Sequence, residues 1–235
     1  MIVKPIKTRI FQEGEDLFNF INKYIKKLPE KSVLVVTSKI VALAEKRTVV
    51  VKDEKAREKI IRAESQMAVR TKYVWLTIKD GMVMASSGID ESNANGKLIL
   101  LPKNSFKTAN YLRTQLRKKF KIKNLGVLIT DSRVMPLRAG VTGVALGYAG
   151  FKGLKSYIGT PDMFGKKFIF STTNTADCLA TAAVLTMGEG REQQPLAMIT
   201  DTLIEFCEKT NPKELLIDIK NDMYLPIFKK IPKQI

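Results

Sequence analysis

The tripeptide Lys79-Asp80-Gly81 joins two short β-favouring runs, 73–78 and 82–85, and it limits the fold more than any other feature of the chain. Asp-Gly supplies the positive-φ positions that a tight hairpin turn demands, so these runs are expected to pair antiparallel. The stretch before them is of another kind. Residues 32–37 (SVLVVT) read as a buried strand that leads into a helix through Ile40, Val41, Leu43 and Ala44, with Ser38 as its cap. Hairpins mixed with strand–helix units argue against a doubly wound parallel sheet. They predict an α+β fold of mixed sheets with hairpins and packed helices.

The remaining pattern fits that class. Residues 2–10 begin as a strand, and the acidic stretch 13–16 opens a helix with Leu17, Phe18, Phe20, Ile21, Tyr24 and Ile25 on one side. Residues 48–51 read as a strand, 53–69 as a charged helix capped by Asp53, 98–101 as a strand and 105–120 as a helix. The apolar run 125–130 is a strand expected to stop at Asp131. Ten of the fourteen glycines then fall between Gly126 and Gly190. Among them lie the apolar run 141–146, a strand-like segment at 167–171, and a small-residue helix at 176–187 that ends in Gly188-Glu189-Gly190. A strand at 195–200, a helix at 202–209 and a mixed tail ending in a loose arm complete the reading. The chain divides into a main region over 1–200, divisible into two subdomains, and a C-terminal helical tail over 201–235.

Chemistry is bounded by what is missing. The chain has 235 residues and no histidine, which excludes Ser-His-Asp triads, Cys-His pairs, HExxH zinc sites and haem-ligating histidines. Cys178 and Cys207 form neither a zinc ribbon nor a disulfide framework, and they point to a reducing cytoplasm. Any metal is expected to be a hard cation on oxygen ligands, Mg²⁺ or Mn²⁺. The N-terminus MIVKPIKTRIF lacks the pattern of a signal peptide, and no apolar run is long enough for a membrane span. Forty Lys+Arg against 23 Asp+Glu give a net charge of +17. That balance is either a general lysine bias or the mark of a polyanionic partner, nucleic acid or a phosphorylated small molecule. The densest basic block, 117–123, reads as the solvated end of a helix.

Three carboxylates, Asp90, Asp131 and Glu189, stand at element ends, where a side chain can enter a cleft while its backbone stays anchored. Together they could ligate one or two divalent cations that clamp a triphosphate, with Ser132 adding a hydroxyl. Taken singly, each is equally well an Asx turn or a helix cap. Arg138 could grip a phosphate or carboxylate, or close a structural ion pair, and Lys39 could reach a phosphate or simply lie exposed on a first helical turn. No Walker A sequence is present, and 147–153 (GYAGFKG) is no Rossmann fingerprint.

Several blocks taken together resemble one family. VLVVTSKIVALAEKR (33–47), GIDESN (88–93) with LILLP (98–102), GVLITDS (126–132), PLRAGVTGVALGYAG (136–150), DMFGKK (162–167) and ADCLATAAVLTMGEG (176–190) are similar, in order, to the coenzyme F420-0:L-glutamate ligases, the γ-glutamyl ligases. The resemblance implies an α+β fold in an intertwined homodimer, with 1–200 as the catalytic region. It implies a GTP-dependent (or ATP-dependent) amide ligase using Mg²⁺ or Mn²⁺, in which a cofactor carboxylate becomes an acyl phosphate that L-glutamate displaces. Carried over, Asp90, Asp131, Ser132 and Glu189 look like metal ligands, and Asp131 and Arg138 look catalytic. Ser38, Lys39, Asn93, Met187, Gly188, Gly190 and Gln193 look like nucleotide contacts.

Three stretches depart from the family pattern: Lys7-Thr8-Arg9-Ile10-Phe11, Leu43 in place of a lysine, and Arg133-Val134-Met135 after Ser132. The first, together with Glu192-Gln193-Gln194, resembles a group that adds glutamate to folates. The resemblance therefore leans to a folate-type acceptor, with F420-0 second. Two other readings stand beside it. A basic nucleic-acid-binding module is disfavoured, because Trp75 is the only tryptophan and no aromatics interleave the charges. The third is a non-catalytic family member that binds nucleotide or cofactor.

Overall fold

The structure, a computed structural model, describes residues 1–229. Its elements in chain order are β1 (Ile2–Ile6), α1 (Leu17–Tyr24), β2 (Ser32–Thr37), α2 (Ser38–Ala44), β3 (Thr48–Val49), α3 (Glu54–Ala63), β4 (Met67–Arg70), β5 (Trp75–Lys79), β6 (Met82–Ala85), β7 (Leu98–Ile99), α4 (Ser105–Phe120), β8 (Leu125–Val134), β9 (Val141–Ala149), β10 (Leu154–Ser156), β11 (Thr172–Asn174), α5 (Thr175–Met187), β12 (Leu196–Thr200) and α6 (Leu225–Phe228).

A five-stranded sheet in the order β1-β12-β2-β8-β9 carries both main cores. All its pairings are antiparallel except β2 with β8, which run parallel from Ser32↔Leu125 to Thr37↔Thr130. Strand alternation splits the apolar side chains between two faces. Leu34, Val36, Leu125, Val127 and Ile129 pack under α1, α2 and α4, whereas Val33, Val35 and Leu128 pack under α5 with Tyr148 and Phe151. Helices on both faces explain why the interior of β2, 33–36, and the first half of β8 carry no polar side chain.

Smaller sheets hang on this frame. The hairpin forms as expected: β5 and β6 pair antiparallel, and Asp80 and Gly81 take φ values of 52° and 76°. With β4 they make a three-stranded sheet. Trp75 is buried there, with the guanidinium of Arg62 4.6 Å from its ring centroid. Glu64 joins the turn after α3 to this sheet, 2.7 Å from Arg47 and 2.5 Å from Lys79. The β10–β11 pair supports a long arm, 157–171, closed by backbone bonds such as Gly159 N–H to the Phe168 carbonyl at 2.9 Å.

The structure corrects several local expectations. The helix expected over 53–69 ends at Ala63, and Met67–Arg70 turns into β4, because β-branched Val69 and the neighbouring β5 edge win over helix propensity. The strand expected to stop at Asp131 continues to Val134, since β9 offers it partners through Val134↔Val141. Residues 167–171 carry no strand beyond one bridge, Pro161↔Lys167. Residues 202–209 are not helical: this segment lies as a strap over the sheet, with Phe206 bridging Phe151 and Cys207 N–H donating to the Gly150 carbonyl at 3.0 Å. In the rest of the described tail only a 3-10 turn, Ile219–Asn221, and α6 are helical, and 230–235 lies outside the described residues. Cys178 and Cys207 are both free thiols, and no described helix is long and apolar enough to cross a membrane.

Candidate active site

The site is built where the parallel pair ends. Beyond the last paired residues, Thr37 and Thr130, the two chains continue as Ser38-Lys39 and Asp131-Ser132. The carboxyl ends of parallel strands are where open sheets place their ligands. Ser38 is the first residue of α2, but its hydroxyl does not cap the helix. It donates instead to Asp131 Oδ1 at 3.1 Å, an interaction across the strand ends that local sequence cannot specify.

Alternation along β8 distributes the next two side chains. Asp131 lies on the α2 face, and Ser132, one residue on, faces α5. Ser132 Oγ accordingly donates to Glu189 Oε1 at 2.6 Å, just beyond the end of α5. A register shift between Ile129 and Thr130 leaves Leu146 of β9 as an extra residue shortly before this point. Bulges of this kind re-aim side chains near functional sites.

Asp90 arrives from the loop after β6, held by a two-way backbone exchange with Ile99 at 3.0 and 2.8 Å. Lys39 Nζ lies 2.7 Å from Asp90 Oδ2 and also donates to the Ser92 carbonyl at 2.9 Å. Partial burial works to raise the Asp90 carboxyl, but the Lys39 ammonium and the Ser92 N–H outweigh it and hold the group below its ordinary range. Asn93 Nδ2 donates to the Gly190 carbonyl at 3.3 Å. Three contacts, Asp90–Lys39, Ser38–Asp131 and Ser132–Glu189, are thus joined into one path by the chain links Ser38-Lys39 and Asp131-Ser132, and Asn93 ties the Asp90 loop to Gly190.

The glycine loop after α5 is folded on itself. Gly188 has φ +82°, and a side chain there would strike Glu192. Glu192 accepts from the Gly190 N–H at 2.8 Å. Gln193 is exposed, and its carbonyl accepts from the Thr8 N–H at 2.8 Å. Met187 is buried in the core under the sheet, so its side chain does not open onto the surface. Arg138 lies exposed on the loop between β8 and β9, and no ion pair engages it among the described residues.

One charged group of the site was missed by the sequence reading. Arg133 is buried, and its Nη1 donates to Asp131 Oδ2. Its signal was present: once β8 is followed to Val134, residues two apart must share a face.

The donors fit a hard divalent ion in kind, being carboxylates and one hydroxyl. They are engaged in pairs, however, and among the described residues no three acidic or cysteine side chains gather as a ready metal cluster. Asp90 faces Lys39 in a pair open to water, whereas both oxygens of Asp131 have partners within the chain.

Comparison with known proteins places this arrangement. Residues 5–201 match the family model described as F420-0:Gamma-glutamyl ligase. The chain is similar to the protein named coenzyme F420:L-glutamate ligase of Methanococcus maripaludis strain C7, with 33% identity over 231 residues, covering 90% of this chain and 91% of that one. It is similar to proteins of the same name from Methanosarcina acetivorans, 31% identical over 86% of each chain, and from Methanopyrus kandleri, 38% identical over 61% of this chain and 58% of the other. With the match running through every element that supplies a residue to the contact path, the chain belongs to the F420-0:γ-glutamyl ligase family.

Proposed function

We propose that this protein is a glutamate ligase that joins the amine of L-glutamate to a carboxylate of a cofactor, consuming GTP or ATP through an acyl phosphate. The observation that carries the reading is the contact path from Asp90 to Glu189 across the ends of β2 and β8, in a chain of this family.

The reaction has two displacements. An oxygen of the acceptor carboxylate attacks the γ-phosphorus and the nucleoside diphosphate leaves. The glutamate amine then attacks the acyl carbon, phosphate leaves, and a proton is lost as the amide forms. Both steps depend on positioning and on neutralising phosphate charge, which a chain without histidine can supply. Asp90, Ser132 and Glu189 would hold Mg²⁺ or Mn²⁺, which when bound would offset phosphate charge and polarise the phosphoryl group, while Asp131 stays engaged by Arg133 and Ser38. Lys39 supplies a mobile point charge that can exchange Asp90 for a phosphate oxygen. Ser38 fixes the orientation of Asp131. Arg138, exposed on the β8–β9 loop, is proposed to meet the acceptor or glutamate carboxylate.

For the acceptor, the names of the relatives support a deazaflavin of the F420 type. A folate-type acceptor is the second reading. It is favoured by one contact, Thr8 to Gln193, which brings the two folate-like stretches to one place beside the glycine loop. Mass spectrometry after incubation with glutamate, each nucleotide and each acceptor distinguishes them. The expected result is a gain of glutamyl mass on the F420-type acceptor. A gain on folate alone favours the second reading, and no gain on either sinks the ligase.

A homodimer is proposed with it. The 157–171 arm exposes Ile158, Met163, Phe164, Ile169 and Phe170, an apolar surface that suits a second copy of the chain.

A further inference from the structure

Arg133 and Asp131 are two residues apart on β8 and share a face. The Arg133 side chain is only 9% exposed. Nη1 donates to the Asp131 carboxylate and, at 2.8 Å, to the Ser132 carbonyl. Nη2 lies 3.6 Å from the sulfur of Met84, which belongs to a buried apolar cluster with Leu101 and Leu146. Nε is buried without a partner. A guanidinium does not give up its charge at any working pH, so in this apolar setting its compensation rests on Asp131. The other Asp131 oxygen accepts from Ser38.

We propose that Arg133 is a resident counter-cation at Asp131, standing in for one divalent ion, so that this chain works with a single divalent ion per site rather than two. The inference rests on the ligase reading above only for the identity of the ion as a nucleotide-linked dication. Charge is the first argument. A fixed positive group on Asp131 leaves that carboxylate little net charge to offer and repels a dication placed beside it. Exchangeability is the second. The Lys39–Asp90 pair is open to water, so either member can take a new partner, whereas drawing Asp131 away would strand a buried guanidinium. Glu189, Ser132 and Asp90 remain as the donors free to rearrange, and Arg133 acts on the reaction by positioning Asp131.

The test counts ions directly. Mn²⁺ is titrated into the full chain with a non-hydrolysable GTP or ATP analogue. Bound ions are read by electron paramagnetic resonance against a protein-free control, for wild type, Arg133→Met and Arg133→Lys. One Mn²⁺ per chain with no spin-coupled pair is expected for wild type and for Arg133→Lys, and two for Arg133→Met. Two coupled ions in wild type overturn the proposal, as does a folded Arg133→Met that still takes one. If Arg133→Met does not fold, the wild-type and Arg133→Lys counts decide. No bound Mn²⁺ at all overturns this proposal together with the metal dependence of the ligase. One bound ion without glutamate transfer overturns the ligase reading alone.

Discussion

Asp131 holds two partners of different character, and substitution at each separates structure from chemistry. Asp131→Asn keeps the shape and removes the charge that the buried Arg133 faces. The expected outcome is loss of glutamate transfer together with roughly 3 kcal/mol of stability, because breaking a shielded ion pair leaves its partner uncompensated. Turnover and urea midpoints on one preparation check both halves, and an unchanged midpoint argues against the pairing. Ser38→Ala removes only the hydroxyl that orients Asp131, so activity should fall roughly tenfold or more with a small change in midpoint. Asp90, Asp131 and Glu189 stood out in the sequence as expected element ends; Asp90 and Glu189 do lie in loops, whereas Asp131 lies inside β8. Arg133 did not, because β8 was expected to stop at Asp131, before Arg133 is reached, whereas it runs to Val134. The role of Ser38 was misread as a cap because a partner 93 residues away leaves no local trace.

At the scale of elements, close approach decides what can vary. A Cβ on Gly143 would stand 2.4 Å from the Ala180 carbonyl of α5, so Gly143→Ala must push the helix off β9. A loss of about 2–3 kcal/mol is expected, and because α5 ends at the glycine loop, weaker nucleotide binding as well. Calorimetric binding beside a thermal melt tests the coupling. Glu64 offers a second test. Burial tends to raise its carboxyl, but Lys79 and Arg47 outweigh it and hold it below its ordinary value. A depressed carboxylate stabilises the fold above its unfolded-state pKa, and that contribution is lost as pH falls through the folded-state value. Glu64→Gln should therefore flatten the acid side of the stability profile, between roughly pH 5 and 3, in urea melts. An equally steep profile in the variant sinks the assignment. The hairpin and α4 were readable because turn chemistry and a long amphipathic period are local signals. The strap over 202–209 was not, since its order comes from contacts with Phe151 and Gly150 far back in the chain.

For the whole molecule, the arm and the charge set the expectations. Phe164→Ser with Phe170→Ser should convert a dimer into monomers in light scattering at micromolar concentration. A wild type that is already monomeric removes the dimer proposal. Trp75 is buried between Arg62 and Arg70 and so offers no stacking face to a polyanion, and Arg117 of the basic block pairs with Glu208. On the proposed ligase reading, a triphosphate and a multiply carboxylated acceptor are the counter-charges that the net charge of +17 would meet.

The side-by-side order of Asp131 and Ser132 makes this region tolerant of exchange but not of slippage. Removing one residue from the middle of β8 would move Ser132 into the slot facing Ser38, bring Arg133 into the slot opposite Glu189, and turn Asp131 into the place of Thr130, away from Ser38. Lineages that retune this enzyme should therefore do so by replacing letters along the strand, while changes of length accumulate in the loops before and after it.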